Sequence, residues 1–144
     1  IGYNLQASDF QAAAGVAQLD RLKDFIQKRR NNWAYLRGGL DGLPVEFIEA
    51  TPDSEPSWFG FAFLCSKRNE LALYLDSKGI GNRPIMAGNI LRQPAYKHIE
   101  HRVLGNLDGA NNIHEQGLWV GCFPGLSQDQ LDYTIETIRA YFNG

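Results

Sequence analysis

The chain has 144 residues, 44% hydrophobic and 21% charged, with a formal net charge of −2. That length can bury a core, and that composition excludes a disordered or fibrous protein. The near-neutral charge supplies no electrostatic drive toward nucleic acid or an anionic membrane, and no apolar run reaches the roughly 18–20 residues of a membrane span.

The elements follow in chain order. Ser8 and Gln11 stand at capping-box spacing. Behind them Val16, Leu19, Leu22, Ile26, Trp33, Leu36 and Leu40 recur mostly at intervals of three, four and seven. That is the apolar stripe of one long amphipathic helix over about residues 9–36. The Ala12-Ala13-Ala14-Gly15 patch near its start would let another backbone approach closely, and Gly38-Gly39 and Asp41-Gly42 stop the helix. Residues 45–49 read as a short strand and 51–56 as a loop. Residues 58–65 form an apolar strand, too aromatic for a helix.

Residues 70–77 predict a short helix with Leu71 and Leu75 inward, ended by Gly79. Residues 80–86 return as a strand in which Pro84 demands an edge or a bulge. An irregular loop covers 87–96, a helix 107–115, and a third apolar strand 118–123, followed by a Pro124-Gly125 turn. The last helix opens on a second capping box, Ser127 with Gln130, and turns Leu131, Ile135, Ile138 and Phe142 inward. The order predicts an α+β layer, a small mostly antiparallel sheet covered by helices on one side. Cys65 and Cys122 each fall in an apolar strand, and two such cysteines make no disulfide framework. Reduced, buried thiols and no visible signal peptide predict a cytoplasmic protein. The chain starts at Ile1 and enters a helix with no preceding strand, as a segment of a larger protein would.

The residues that could carry chemistry are few. There is no glycine-rich phosphate loop, no histidine pair at metal spacing and no Gly-x-Ser-x-Gly turn. His98 and His101 have no third ligand nearby and read as a solvated polar turn, and His114 gets the same plain reading. Neither cysteine has an adjacent base that would make it a nucleophile. The Lys28-Arg29-Arg30 run reads as a solvated helix face.

Two segments are harder to read as scaffold. Asn4, in Gly2-Tyr3-Asn4-Leu5, precedes a helix start, where it is either a turn residue or a ligand for an anion such as phosphate. The second segment runs Gly81-Asn82-Arg83-Pro84-Ile85-Met86-Ala87-Gly88-Asn89 and continues through Arg92-Gln93-Pro94-Ala95-Tyr96. Arg83 and Arg92 suit phosphate, and Asn89, Gln93 and Tyr96 suit sugar hydroxyls. The same residues would also make an ordinary polar surface loop, and spacing alone leaves both readings open.

Gly2-Tyr3-Asn4-Leu5, Asp9-Phe10-Gln11-Ala12-Ala13, Gln18-Leu19 and Arg29-Arg30 together resemble the DegT/DnrJ/EryC1/StrS sugar aminotransferase family. Ile80-Gly81-Asn82-Arg83 and the Pro124-Gly125-Leu126 turn agree with it, so the resemblance spans the chain. It implies the C-terminal small domain of the fold-type I, aspartate-aminotransferase-like enzymes that use pyridoxal phosphate. Residues 1–40 would be the connecting helix and 41–144 the small α+β domain. Ala87-Gly88-Asn89, Arg92 to Tyr96 and Gly117-Leu118-Trp119-Val120-Gly121 look most like the family's nucleotide-sugar 3-dehydratases. Those act on CDP- or GDP-linked 4-keto-6-deoxyhexoses in lipopolysaccharide or deoxysugar biosynthesis.

The resemblance implies pyridoxal or pyridoxamine 5′-phosphate as cofactor, and a histidine where aminotransferases carry the Schiff-base lysine. That residue and the ring aspartate would lie upstream of Ile1, as would any iron–sulfur cluster. No catalytic residue is then expected in this chain, which would be inactive alone. Asn4 aligns with the family asparagine that reaches the cofactor phosphate across a homodimer. Arg83, Asn89, Arg92 and Tyr96 fall in the loop that closes over the nucleotide sugar. Leu5-Gln6 departs from the aromatic and arginine of many aminotransferases, which puts the hydrogen bonds around Asn4 in doubt. The implied partners are a nucleotide-linked keto-deoxyhexose, a second copy of the chain and, for members that need electrons, a reductase. The alternatives are an aminotransferase of the same family and a non-catalytic binding or dimerisation module.

Overall fold

A computed structural model describes residues 6–144, so Asn4 lies outside the described residues. Helix α1 (Asp9–Leu19) opens on Ser8, whose hydroxyl accepts from Gln11 N while Ser8 N donates back to Gln11 Oε1 at 2.8 Å. Helix α2 (Leu22–Gly39) follows after a two-residue interruption. The sequence predicts one continuous helix here, and the structure has two. At the junction Arg21 N donates to Gln18 O, a tight turn in place of the regular ladder.

The apolar stripe also divides. Leu36 and Leu40 are fully buried, whereas Val16 and Leu19 are exposed and α1 buries none of its residues. Periodicity reports that a helix has an apolar side, not that a neighbour exists to cover it.

Four strands follow: β1 (Glu46–Phe47), β2 (Gly60–Leu64), β3 (Asn82–Pro84) and β4 (Gly117–Gly121). They form one antiparallel sheet in the order β1-β2-β4-β3, the last strand in sequence lying between β2 and β3. β3 is therefore an edge, where Pro84 can sit without costing a ladder bond. Phe61 and Phe63 of β2 join Leu118 and Val120 of β4 on the covered face. There they meet Leu36 and Leu40 of α2, Leu71 and Leu75 of α3 (Arg68–Ser77), and Leu131 and Ile138 of α5 (Gln128–Asn143). Burying one such side chain stabilises by roughly 1.5–3 kcal/mol before entropy is counted.

Helix α5 begins at its predicted capping box, with Ser127 N donating to Gln130 Oε1 at 2.9 Å. Arg139 then crosses to the end of α2, donating to Gly39 O at 2.6 Å and Asp41 O at 2.9 Å. These bonds satisfy carbonyls the helix end leaves free. Helix α4 (Asp108–Gln116) stands apart from this layer and leads straight into β4.

Candidate functional site

The loop after β3 is built on α4. The chain turns through Ala87 and Gly88, both left-handed at φ 45° and 53°. Glycine is required at 88, because a Cβ there would stand 2.6 Å from His114 Cα. Asn89 follows, only 5% exposed. Its Oδ1 accepts from Leu91 N at 3.0 Å and caps a short 3-10 turn, Ile90–Arg92. Its Nδ2 donates to Asn111 Oδ1 at 2.8 Å, and its backbone N faces His114 Nδ1 at 3.4 Å. Gln93 Nε2 donates to Ala87 O at 2.7 Å, closing the loop before a second 3-10 turn, Pro94–Tyr96. Arg92 pairs with Glu115 at 2.6 Å. Asn111, His114 and Glu115 lie three and four residues apart, on one face of α4. That face holds the loop's shape.

Beside the loop lies a groove of about 440 Å³, lined by Arg68, Arg83, Met86, Gly88, Gln93 and His114 among others. Arg68 reaches it from the start of α3 and donates to His114 O at 3.3 Å, while its Nε has no partner. Among the described residues no carboxylate pairs with either Arg68 or Arg83. Two uncompensated guanidinium groups give the groove a positive field suited to phosphate or carboxylate.

The structure divides the residues the sequence places in one loop. Arg83 and Gln93 line the groove. Asn89 lies beneath the loop with its amide engaged internally. Arg92 is held away by Glu115, and Tyr96 is outside the groove and 42% exposed. Arg68, Asn111 and His114 were missed by the sequence reading. They arrive from two other helices, and no local pattern ties them to position 83 or 89.

Elsewhere, His98 and His101 are exposed, and the His101 ring meets Ile99 O at 2.7 Å. Both thiols are buried away from the groove, and burial pushes each above its ordinary value. Cys122 Sγ donates to Trp58 O at 3.2 Å.

A four-stranded antiparallel sheet backed by helices on one face, with a polar loop at its edge strand, is the small domain of pyridoxal-phosphate-dependent sugar aminotransferases and dehydratases. The chain belongs to the DegT/DnrJ/EryC1/StrS aminotransferase family, whose sequence pattern matches residues 1–139. It is 40% identical to the lipopolysaccharide biosynthesis protein RfbH of Salmonella typhimurium, over 99% of this chain and 34% of that protein. It is equally 40% identical to the dTDP-4-dehydro-2,6-dideoxy-D-glucose 3-dehydratase of Saccharopolyspora spinosa, over 98% of this chain and 32% of that one. Identity to the GDP-perosamine synthase of Vibrio cholerae is 27%, over 99% of this chain and 40% of that one.

A solved GDP-4-keto-6-deoxymannose-3-dehydratase with a trapped PLP-glutamate geminal diamine superposes with a TM-score of 0.84 at 34% identity, over 96% of this chain and 37% of that one. The S. venezuelae DesV structure with a ketimine intermediate gives 0.85 at 27%, over 96% and 38%. The chain thus spans about a third of the length of the curated relatives it matches.

All five lysines, at 23, 28, 67, 78 and 97, are exposed, and none lines the groove. What the groove offers is positive charge, from Arg68 and Arg83. No helix among the described residues is long and apolar enough to cross a membrane.

Proposed function

We propose that this chain is the substrate-facing C-terminal portion of a PLP/PMP-dependent nucleotide-sugar enzyme. Its reaction would remove the C3 hydroxyl of a CDP- or GDP-linked 4-keto-6-deoxyhexose in lipopolysaccharide or deoxysugar biosynthesis. The observation that carries this reading is the higher identity to named 3-dehydratases, 40% to the dTDP-linked one and 33% to the GDP-4-keto-6-deoxy-D-mannose one, than the 27% to the perosamine synthase. In this reading residues 1–40 are the connecting segment and 41–144 the small domain. Arg83 binds substrate phosphate, and Arg92 and Tyr96 meet the nucleotide sugar from the loop that closes over it. Asn89 acts by holding that loop in shape, since its amide has internal partners.

Asn4 would reach a cofactor phosphate across a homodimer, and the protein would work in the cytoplasm. An iron–sulfur cluster with its reductase would dock outside this chain, whose two cysteines are separately buried. The test uses the complete protein with pyridoxamine phosphate and a nucleotide-linked 4-keto-6-deoxyhexose, followed by mass spectrometry. A product that has lost its C3 hydroxyl supports the reading. A product that has gained an amino group at an intact sugar replaces it with the aminotransferase reading, which the 29% identity to a Streptomyces venezuelae sugar transaminase favours.

A further inference from the structure

Arg83 reaches the groove from a short edge strand. β3 has three residues, β4 is its one strand neighbour, and Pro84 brings no N–H to the ladder. A second hold on the fold comes from the residue before Arg83. The side-chain Nδ2 of Asn82 donates to Ala72 O at 3.1 Å and to Asp76 Oδ1 at 2.8 Å, and lies 3.3 Å from Ile80 O. Ala72 and Asp76 stand one turn apart on α3, the helix that Leu71 and Leu75 root in the core. One amide thus ties the edge strand to a helix whose own position is fixed by packing.

Successive side chains on a strand point to opposite faces. Asn82 is paired with Val120, a core residue, and is half-buried on the helix side, while Arg83 is paired with Trp119 and is exposed on the other. Any rotation of β3 about its own axis is magnified at the guanidinium, the far end of a long side chain. A two-bond contact between guanidinium and phosphate is directional, so it suffers from such rotation. We propose that Asn82 is a positioning residue for Arg83, holding β3 to α3 so that the guanidinium is aimed at the substrate phosphate. The proposal rests on the reading of Arg83 as a phosphate ligand and adds the group that aims it. Asn82 itself touches no substrate, since its two amide hydrogens are spent on the acceptors named.

The test is a double-mutant cycle, read by calorimetric titration of the complete protein, loaded with pyridoxal phosphate, with inorganic pyrophosphate. Asn82→Ala weakens pyrophosphate by about five-fold, within the range that one net hydrogen bond commands. In an Arg83→Ala background the same change has no further effect, because the residue it aims is gone. Asn82→Thr keeps one donor and recovers part of the affinity. Asn82→Asp has no donor and sets a second carboxylate beside Asp76, so it loses at least as much as the alanine. A purely structural role would lower the melting temperature and leave the two losses independent. Additive losses in Asn82→Ala/Arg83→Ala therefore overturn the proposal, as does unchanged affinity in Asn82→Ala. Should Asn82→Ala fail to fold, Asp76→Ala removes an acceptor from the exposed end of the same contact and goes through the same cycle. If Arg83→Ala itself leaves pyrophosphate binding unchanged, the reading of Arg83 fails first and the role of Asn82 falls with it.

Discussion

Asn89 Nδ2 donates to Asn111 Oδ1 at 2.8 Å, and this bond ties the 87–96 loop to α4 from beneath. Because Asn89 is buried, removing the acceptor strands a donor that water cannot reach. Asn111→Ala is expected to cost about 1–3 kcal/mol and lower the melting temperature. Asn111→Asp keeps the acceptor and should recover most of that loss. Equal destabilisation by both changes in a thermal scan would show that the bond is not what matters.

The turn above that bond makes a paired prediction. Gly88→Ala forces a side chain into the left-handed region, at about 1–2 kcal/mol, and drives its Cβ to 2.6 Å from His114 Cα. Ala87→Gly relieves the same backbone strain at φ 45° but loosens the unfolded chain, so the two effects nearly cancel. Urea denaturation should find the first strongly destabilised and the second within about 0.5 kcal/mol of the parent, a range usual for changes without a buried contact.

Two capping boxes of the same form should differ in consequence. Ser127→Ala should cost about 1 kcal/mol of global stability, because α5 carries Leu131 and Ile138 into the core. Ser8→Ala frays α1, which buries nothing in this chain. Hydrogen exchange should then quicken within α1 with no change in the unfolding midpoint of the 144-residue chain.

Burial raises the thiols of Cys65 and Cys122 above their ordinary value of 9.0. The folded chain therefore keeps these protons at a pH where the unfolded chain releases them. The contribution is complete below about pH 9 and is lost as pH climbs from there toward the raised folded values. A fall in the urea midpoint above pH 9, reduced in the Cys65→Ala/Cys122→Ala variant, is the expected result. Thiol reagents at pH 8 should modify neither cysteine until the chain unfolds.

Much of the scaffold was legible in the residues. Ser8 with Gln11 and Ser127 with Gln130 marked two helix starts, because capping is a short-range hydrogen-bond pattern. Pro84 narrowed its strand to an edge or a bulge, of which the sheet order makes it the edge, and Leu71 and Leu75 announced the buried side of α3. The break at Asp20-Arg21 was not legible, since neither glycine nor proline marks it. The candidate site was half legible. Arg83 and Gln93 could be picked out as polar groups on an irregular loop, but Arg68 and His114 could not be assigned to the same groove.

The sequence by itself determined the family, the order of elements and the alternation that drives Phe61, Phe63, Leu118 and Val120 into one core. Those properties depend on neighbours a few residues apart, or on ordered blocks along the chain. Only the tertiary structure decided which polar residues share a groove and which are spent on holding it. Inserting β4 between β2 and β3 brings Trp119 beside Arg83, and packing α4 under the loop turns Asn89 from an open amide into a tether. Both follow from contacts between segments far apart in sequence, whose closeness no local pattern encodes.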